Sequence, residues 1–581
     1  MAEERIEQIR HTLAHLTVAA VRELWPGSQN AIGPAIDNGF YQDFEIVGTI
    51  TDADLPKIET KMRELLPKWT GFEKKEVNRE EALEEFAWNK YKSELIEEFA
   101  GQGKKITFHN APGLVDLCKG GHSENPAKDI DPSAFKLDRI AGAYWRGNEK
   151  NKMLTRIYGL AFETKKELDE YIQRREEAIK RDHRKIGKEL DLFVFSDLVG
   201  AGLPLFTPKG TVLREEINSF VQELRLKRGF QKVWIPHITK TDLYKTSGHW
   251  AKFGHELFLV KSQETQDDLV LKPMNCPHHQ QIYAGKPRSY RDLPLRFLET
   301  TTVYRDEKSG ELSGLSRVRA ITQDDSHIFC TPEQIEQEFQ SIIEMVKTFF
   351  SAVDMSFKAR LSFRDPKTPE KYLGEDALWQ KAQDIILSIA KNNDLDYFVA
   401  EGEAAFYGPK IDFMARDAIG REHQLATPQL DFVQPSRFGL TYTDNDGTEK
   451  TPVMIHLAIA GSLERFLSVY IEHTAGAFPT WLAPVQVKVL PISDKHIEYA
   501  QNIFSQLRDA GVRVELDDSS ETLGKKVRGA KVEKVPYWLV VGDAEVAAHT
   551  VTVERREKGK IGAQPLADFL STLLSEIKVR A

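Results

Sequence analysis

Only three cysteines, Cys118, Cys276 and Cys330, are spread over 581 residues. So few thiols exclude a disulfide framework and suit a reducing, cytoplasmic setting. No run approaches the roughly 18 uninterrupted apolar residues of a membrane-spanning helix, so no membrane partner is expected. The opening residues Met1–Arg5 carry no apolar core or cleavage pattern, and no signal peptide is expected. There is no low-complexity tract and no internal repeat of about 20–50 residues, which excludes a solenoid. An excess of basic residues is missing too. Lys+Arg 79 against Asp+Glu 88 gives a net charge of -9, so any nucleic acid must be held by local pockets. The glycine-rich phosphate loops G-x-x-x-x-G-K-[ST] and G-x-G-x-x-G after a strand are absent, so a nucleotide would need some other cradle.

What is present is an ordinary globular balance, 41% hydrophobic and 29% charged. The length implies about three to five domains. Residues 3–24 predict an amphipathic helix, with Ile6, Ile9, Leu13, Leu16 and Leu24 in one stripe. His11 and His15 fall nearly opposite that stripe, off the core. Residues 163–190 are densely charged with mixed sign and contain no proline, which predicts a solvated connecting helix. Beyond Trp481-Leu-Ala-Pro484, strands alternate with helices, the pattern of a small α/β domain built on βαβ units.

Two segments concentrate chemistry. If 317–328 is a strand, its odd positions put Arg317, Arg319, Ile321, Gln323, Asp325 and His327 on one face. A solvated face of an antiparallel sheet is the bland alternative, but such a face has no need of Asp and His beside a row of arginines. Upstream, a strand over 295–304 leads to Arg305 and Glu307, and a long hairpin loop joins the two. These arginines could clasp phosphate. In the second segment, 453–460, His456 alternates with small residues, and Gly461-Ser462-Leu-Glu-Arg465 opens a helix with Ser462 as N-cap. Arg465 near that helix N-terminus suits an anion. By itself, His456 reads as a satisfied core histidine.

Together these segments resemble the three motifs of class II aminoacyl-tRNA synthetases. More narrowly, KPMNCP (272–277), SYRDLPLR (289–296), RVRAITQDDSHIFC (317–330), AFYGPKID (405–412), QLDF (429–432), PVMIH (452–456), GSLERF (461–466) and FPTWLAP (478–484) resemble the bacterial threonyl-tRNA synthetases. The resemblance implies a multidomain α+β and α/β protein. Its parts would be an editing domain (1–162), a helical linker (163–190), an antiparallel-sheet catalytic domain (191–484) and an α/β anticodon-binding domain (485–581). The form is one whose extra N-terminal ubiquitin-like domain is absent. The implied partners are tRNA(Thr), L-threonine, ATP and a second copy of the chain, joined around motif 1 near Val233–Pro236.

The resemblance also implies residue roles. Cys276, His327 and His456 match zinc ligands, and Mg2+ would accompany ATP. Asp325 matches the carboxylate that takes the substrate ammonium. Arg305, Glu307, Arg317 and Arg465 match ATP contacts, and Gln323, Tyr407, Lys410 and Gln429 match residues around the adenylate. In the N-terminal part, His11, His15, Asp116, Cys118 and His122 match an editing pocket that hydrolyses seryl-tRNA. Their ligand chemistry alone would also suit zinc, as in alanyl-tRNA synthetases; the closer resemblance implies a metal-free pocket. Glu545 matches a residue that reads an anticodon base. Departures are Ser520 and Glu554 where the family commonly carries Asn and Arg, His278 where Gly is usual, and Leu457 after His456. Arg555 or Arg556 could compensate for Glu554. An inactive paralogue would lack the arginines or the ligand triad, a prolyl enzyme would lack the triad, and a zinc hydrolase on His11 and His15 would leave the arginine face unexplained.

Overall fold

A computed structural model describes residues 2–580. The chain divides into two compact units, 1–177 and 178–581.

In the first unit the helix Ala2–Leu24 buries Ile9, Leu13 and Leu16, as its stripe predicts. It packs on a sheet formed by Gly39–Glu45, Met153–Ala161 and Phe135–Tyr144, with Gln29–Asn30 and Ala35–Ile36 at one side. A smaller antiparallel sheet, Glu73–Val77, Ile106–Ala111 and Leu114–Leu117, carries Asp116 and ends just before Cys118.

The expected connector is not one solvated helix. It breaks into Lys165–Lys180 and His183–Glu189, because the Asp182 side chain accepts from the Arg184 N–H and starts a new helix. His183, Ile186 and Gly187 of the second helix are buried. The division between the units falls inside the first of these helices.

The second unit is organised by eight strands among the described residues. Across the sheet they run Gln231–Lys232, Leu295–Tyr304, Ala320–Cys330, Val453–Ala458, Glu422–Asp431, Lys410–Arg416, Ser356–Phe363 and Tyr397–Glu401. Pairing is antiparallel except at the two outer pairs. Helices Pro208–Leu226, Ile335–Ala352 and Leu463–Thr474 bury their apolar sides in the core behind this sheet. The predicted strand 317–328 begins only at Ala320. Arg317 and Arg319 stand in the preceding loop, where Arg317 pairs with Ser313 across a tight turn.

Alternation along Ala320–Cys330 separates two carboxylates. Asp324 points into the core, fully buried, and pairs with the equally buried Arg225 of helix Pro208–Leu226. Its other oxygen accepts from the Ile459 and Ala460 N–H groups at 3.0 and 2.8 Å. Asp325 points the other way, into a cavity.

The C-terminal part has its own core, built on Val487–Pro491, Val514–Leu516 and Tyr537–Val541 in parallel, with Thr550–Arg555 and Gly559–Pro565 antiparallel. The predicted order of strands and helices holds. The short helix Asp543–Ala548 and the strand Gly559–Pro565 were not predicted.

Breaking a buried ion pair by removing one partner costs about 3–5 kcal/mol, because the remaining charge is stranded. Arg225→Met should therefore lower the urea midpoint of the second unit strongly, and Arg225→Met combined with Asp324→Asn should recover part of the loss. A midpoint unchanged in Arg225→Met would contradict the role given to this pair.

Candidate functional site

The face of Ala320–Cys330 opposite Asp324 lines a cavity of about 1270 Å³. Ile321, Gln323, Asp325 and His327 all reach it, as the alternation predicts, together with Cys276, Arg305, Glu307, Arg317, Tyr407, Lys410, Gln429, His456 and Arg465. Thus the cavity gathers every residue that the resemblance assigned to the zinc, threonine and ATP subsites.

Two strands and one helix bring the Cys/His set together. His327 and His456 face each other across adjacent strands in register, and Gln429 is the register partner of His456 on the next strand. Cys276 opens helix Cys276–Ala284. The ligand atoms of Cys276, His327 and His456 lie within 4.8 Å of one another. His456 Nε2–H donates to the Asp431 carboxylate at 2.9 Å, leaving His456 Nδ1 with its lone pair 3.2 Å from His327 Nε2. His327 Nδ1 is engaged by His279 Nδ1 at 2.8 Å, and Glu299 stands 3.6 Å behind His279 Nε2. Burial, then the neighbouring His279 and His456, push His327 well below the usual histidine range, so it is neutral. Burial, with Asp325 and Asp431 nearby, pushes the Cys276 thiol up. Two imidazoles oriented through their remote nitrogens and one thiol amid carboxylates make a donor set that fits a divalent cation.

Around this set, Asp325 is raised from the ordinary carboxylate range by burial, which its hydrogen bond from Asn275 (2.9 Å) offsets only in part. A cationic group entering the cavity would relieve that burial. Tyr407 donates to Gln429 Oε1 at 2.6 Å. Lys410 is already paired with the buried Asp412 at 2.9 Å. Arg317 holds Glu307 at 2.8 Å. Among the described residues the guanidinium groups of Arg305 and Arg465 have no hydrogen-bonding partner, so both can take an anion. Ser462 caps the helix of Arg465 as predicted, accepting from its N–H at 3.2 Å. His278 is buried with neither ring nitrogen hydrogen-bonded, and Leu457 is buried in the core.

In the first unit a second cavity, about 630 Å³, is lined by His11, His15, Asp116 and Cys118. Cys118 Sγ lies 3.3 Å from His11 Nε2 and 3.4 Å from His122 Nε2, and the His122 ring stacks on Phe72. His15 is not off the protein interior as its helical angle suggested: it is buried, with Nδ1 2.9 Å from fully buried Asp116. Lys92 Nζ reaches the other Asp116 oxygen at 2.7 Å, and Asn30 donates to both. Burial opposes charge on His15, but Asp116 and Cys118 outweigh it and hold the imidazole up at about 9. Burial opposes the thiolate of Cys118 too, and the three histidines outweigh that, His11 first, bringing it down to about 3. The pocket is therefore built as a charged pair, thiolate with imidazolium.

Sequence reasoning missed Lys92, His279, Glu299 and Asp431. His279 could have been found, since it lies three residues after Cys276 and so on the same helix face. Asp431 sits in the QLDF string two positions beyond Gln429. Lys92 carries no local signal. At the anticodon end, Glu545 accepts from the Gly542 N–H and Thr552 hydroxyl at 2.8 and 2.7 Å. Ser520 is exposed and Glu554 accepts from Trp538 Nε1 at 3.0 Å. The suggested compensation by Arg555 or Arg556 does not fit: Arg555 is bound to Glu576, and Arg556 to Glu557 and the Phe478 carbonyl.

The antiparallel sheet, with Arg305 and Arg465 at its cavity, is the arrangement that the resemblance to class II synthetases implied. Residues 258–474 match the tRNA synthetase class II core domain (G, H, P, S and T), and residues 486–576 match an anticodon binding domain. The chain is 49% identical to the threonine–tRNA ligase of Gloeobacter violaceus over 99% of its own length and 93% of that protein's. It is 48% identical to a threonine–tRNA ligase of Thermus thermophilus, over 98% and 88%. A solved RNA binding domain of threonyl-tRNA synthetase from Cryptosporidium parvum superimposes with TM-score 0.65 at 37% identity, covering 68% of this chain and 98% of that one. The chain belongs to the threonine–tRNA ligase family.

The charged pair makes a chemical prediction. With its thiol at about 3, Cys118 should be alkylated by iodoacetamide at a rate nearly independent of pH between about 5 and 8. An ordinary thiol near 8.5 gains about tenfold per pH unit over that range. Alkylation of Cys118 that climbs with pH in the ordinary way, read by peptide mass spectrometry, would contradict the thiolate.

Proposed function

We propose that the chain activates L-threonine with ATP, transfers the threonyl group to tRNA(Thr), and hydrolyses mischarged seryl-tRNA(Thr). The observation that carries this is the joining of Cys276, His327, His456, Asp325 and two unpaired arginines on one cavity. Cys276, His327 and His456 would hold one zinc ion. Bound there, zinc supplies an open coordination position that favours a ligand with both amine and hydroxyl, so valine, lacking the hydroxyl, is rejected.

The chain's own groups then position the reactants. Asp325 receives the ammonium of threonine. Arg305 neutralises charge at the α-phosphate as a threonine carboxylate oxygen attacks phosphorus and pyrophosphate leaves. Arg465 holds the γ-phosphate, and Glu307 and Arg317 hold the adenine side of ATP, which carries Mg2+. Gln323, Tyr407, Lys410 and Gln429 enclose the threonyl-adenylate. A terminal hydroxyl of tRNA then attacks the carbonyl carbon, and AMP leaves.

Serine keeps amine and hydroxyl and loses one methyl, worth only about 1–3 kcal/mol of discrimination. A second site is therefore needed, and the pocket of His11, His15, Asp116, Cys118 and His122 serves as it, placing the seryl ester and a water. We read this pocket as metal-free because Asp116 keeps His15 protonated and Cys118 already has three imidazole partners. The functional parts are 1–162 for editing, 163–190 as linker, 191–484 for catalysis and 485–581 for the anticodon, where Glu545 contacts a base. The protein works in the cytoplasm as a homodimer. Support for the dimer comes from large apolar side chains left in water in and beside motif 1, Trp234 at 77% and Ile238 at 47% exposure.

Zinc-replete protein should catalyse threonine-dependent ATP–pyrophosphate exchange, and chelation should abolish it; absent exchange would sink the reading. His15→Ala should leave threonine exchange intact and cut seryl-tRNA deacylation at least about tenfold. Unchanged deacylation would remove the editing assignment. Trp234→Glu should shift the sedimenting species from dimer to monomer; a monomeric wild type would contradict the interface.

A further inference from the structure

The helix that starts at His183 supplies a group the reaction scheme does not use. His183 is almost fully buried. Its Nδ1 lies 2.7 Å from Glu472 Oε1, and its backbone N–H reaches the same oxygen at 3.2 Å. Its Nε2 accepts from the Leu315 N–H at 3.0 Å. An acceptor nitrogen carries no proton, so the proton sits on Nδ1 and is donated to Glu472. Glu472 lies near the end of helix Leu463–Thr474, the helix that carries Arg465, and Arg421 braces its second oxygen at 2.5 Å.

Leu315 is the middle of the turn Ser313–Arg317, whose two ends are bonded to each other. Arg317, the last residue of that turn, grips Glu307. The turn presses against the imidazole so closely that a Cβ on Gly314 would stand 2.2 Å from His183 Nε2. The imidazole is thus a rigid two-ended strut between the helix of Arg465 and the turn of Arg317.

We infer that His183 is a positioning residue for the nucleotide: its Nε2 fixes the Leu315 amide and thereby the Arg317–Glu307 pair against the Arg465 helix. The inference rests on the reading of Arg317, Glu307 and Arg465 as ATP contacts. His183 lines the cavity, but both its ring nitrogens are taken by Glu472 and Leu315, so its loss acts through the Arg317 turn on ATP and spares threonine, whose contacts lie on other elements.

Two replacements separate the ends of the strut. His183→Asn keeps a donor near Nδ1 for Glu472 but has no acceptor that reaches Leu315. His183→Gln places a carbonyl near Nε2 and restores that acceptor. Losing one neutral hydrogen bond is worth about 0.5–1.5 kcal/mol, or about three- to tenfold. In ATP–pyrophosphate exchange, His183→Asn should raise the KM for ATP by that factor with the KM for threonine within about twofold, and His183→Gln, which regains the Leu315 acceptor but keeps only its backbone N–H on Glu472, should return ATP part of the way. Gly314→Ala, which pushes the ring from the turn, should repeat the Asn phenotype and stands in if that variant is insoluble. An unchanged KM for ATP in His183→Asn and Gly314→Ala overturns the inference. So does a parallel rise for ATP and threonine, or failure of Gln to restore. Wild-type protein without threonine-dependent exchange would instead indict the functional reading on which the inference rests.

Discussion

The Arg225–Asp324 ion pair sets the register on which the reaction cavity depends. With Asp324 locked into the core beneath the sheet, its neighbour Asp325 has to face the cavity, and so do Gln323 and His327. A slip of one residue would exchange these faces and dismantle the site. The same carboxylate also binds the Ile459 and Ala460 amides, which fixes the loop leading to Ser462 and Arg465. One buried group therefore aligns the helix behind the sheet, the central strand and the arginine-bearing helix. The sheet aligns the Cys/His set in the same way, since His327 and His456 are register partners and both their remote nitrogens are held.

The two cavities use the same residue types to opposite ends, and the difference is electrostatic. Cys276 is buried and stands near Asp325 and Asp431, so its thiol is reluctant to ionise without a cation beside it. Cys118 stands among His11, His15 and His122, with Asp116 and Lys92 behind His15, so its charge is already balanced. A cysteine among histidines is therefore left un-ionised by burial and neighbouring carboxylates in one setting and held as a thiolate by its imidazoles in the other. Neutral imidazoles offer lone pairs; a protonated one does not.

Much of this was readable from the chain. The alternation of Gln323, Asp325 and His327, the strand Leu295–Tyr304, the Ser462 cap and the helix of His11 and His15 all follow from period and capping. The Cys276–His327–His456 set was not readable from spacing, since its members are distant in sequence and meet only through strand register and a helix start. It came from the resemblance alone. The break at Asp182 was missed because mixed charge masks a cap inside a long polar run, and His183 looked like part of a solvated face. The burial of His15 depends on the strand of Asp116, about a hundred residues away in sequence, which helix angle cannot foresee.

Under the proposed function, substrate choice rests on a metal held by one sulfur and two imidazole nitrogens. X-ray absorption at the zinc edge of zinc-loaded protein reads that shell directly. The account predicts one sulfur near 2.3 Å and two nitrogens near 2.0–2.1 Å, at roughly the distances usual for zinc. Threonine should add nitrogen or oxygen scatterers to the shell, and valine should not reproduce the threonine spectrum. A shell without sulfur, or spectra that respond identically to threonine and valine, would contradict it.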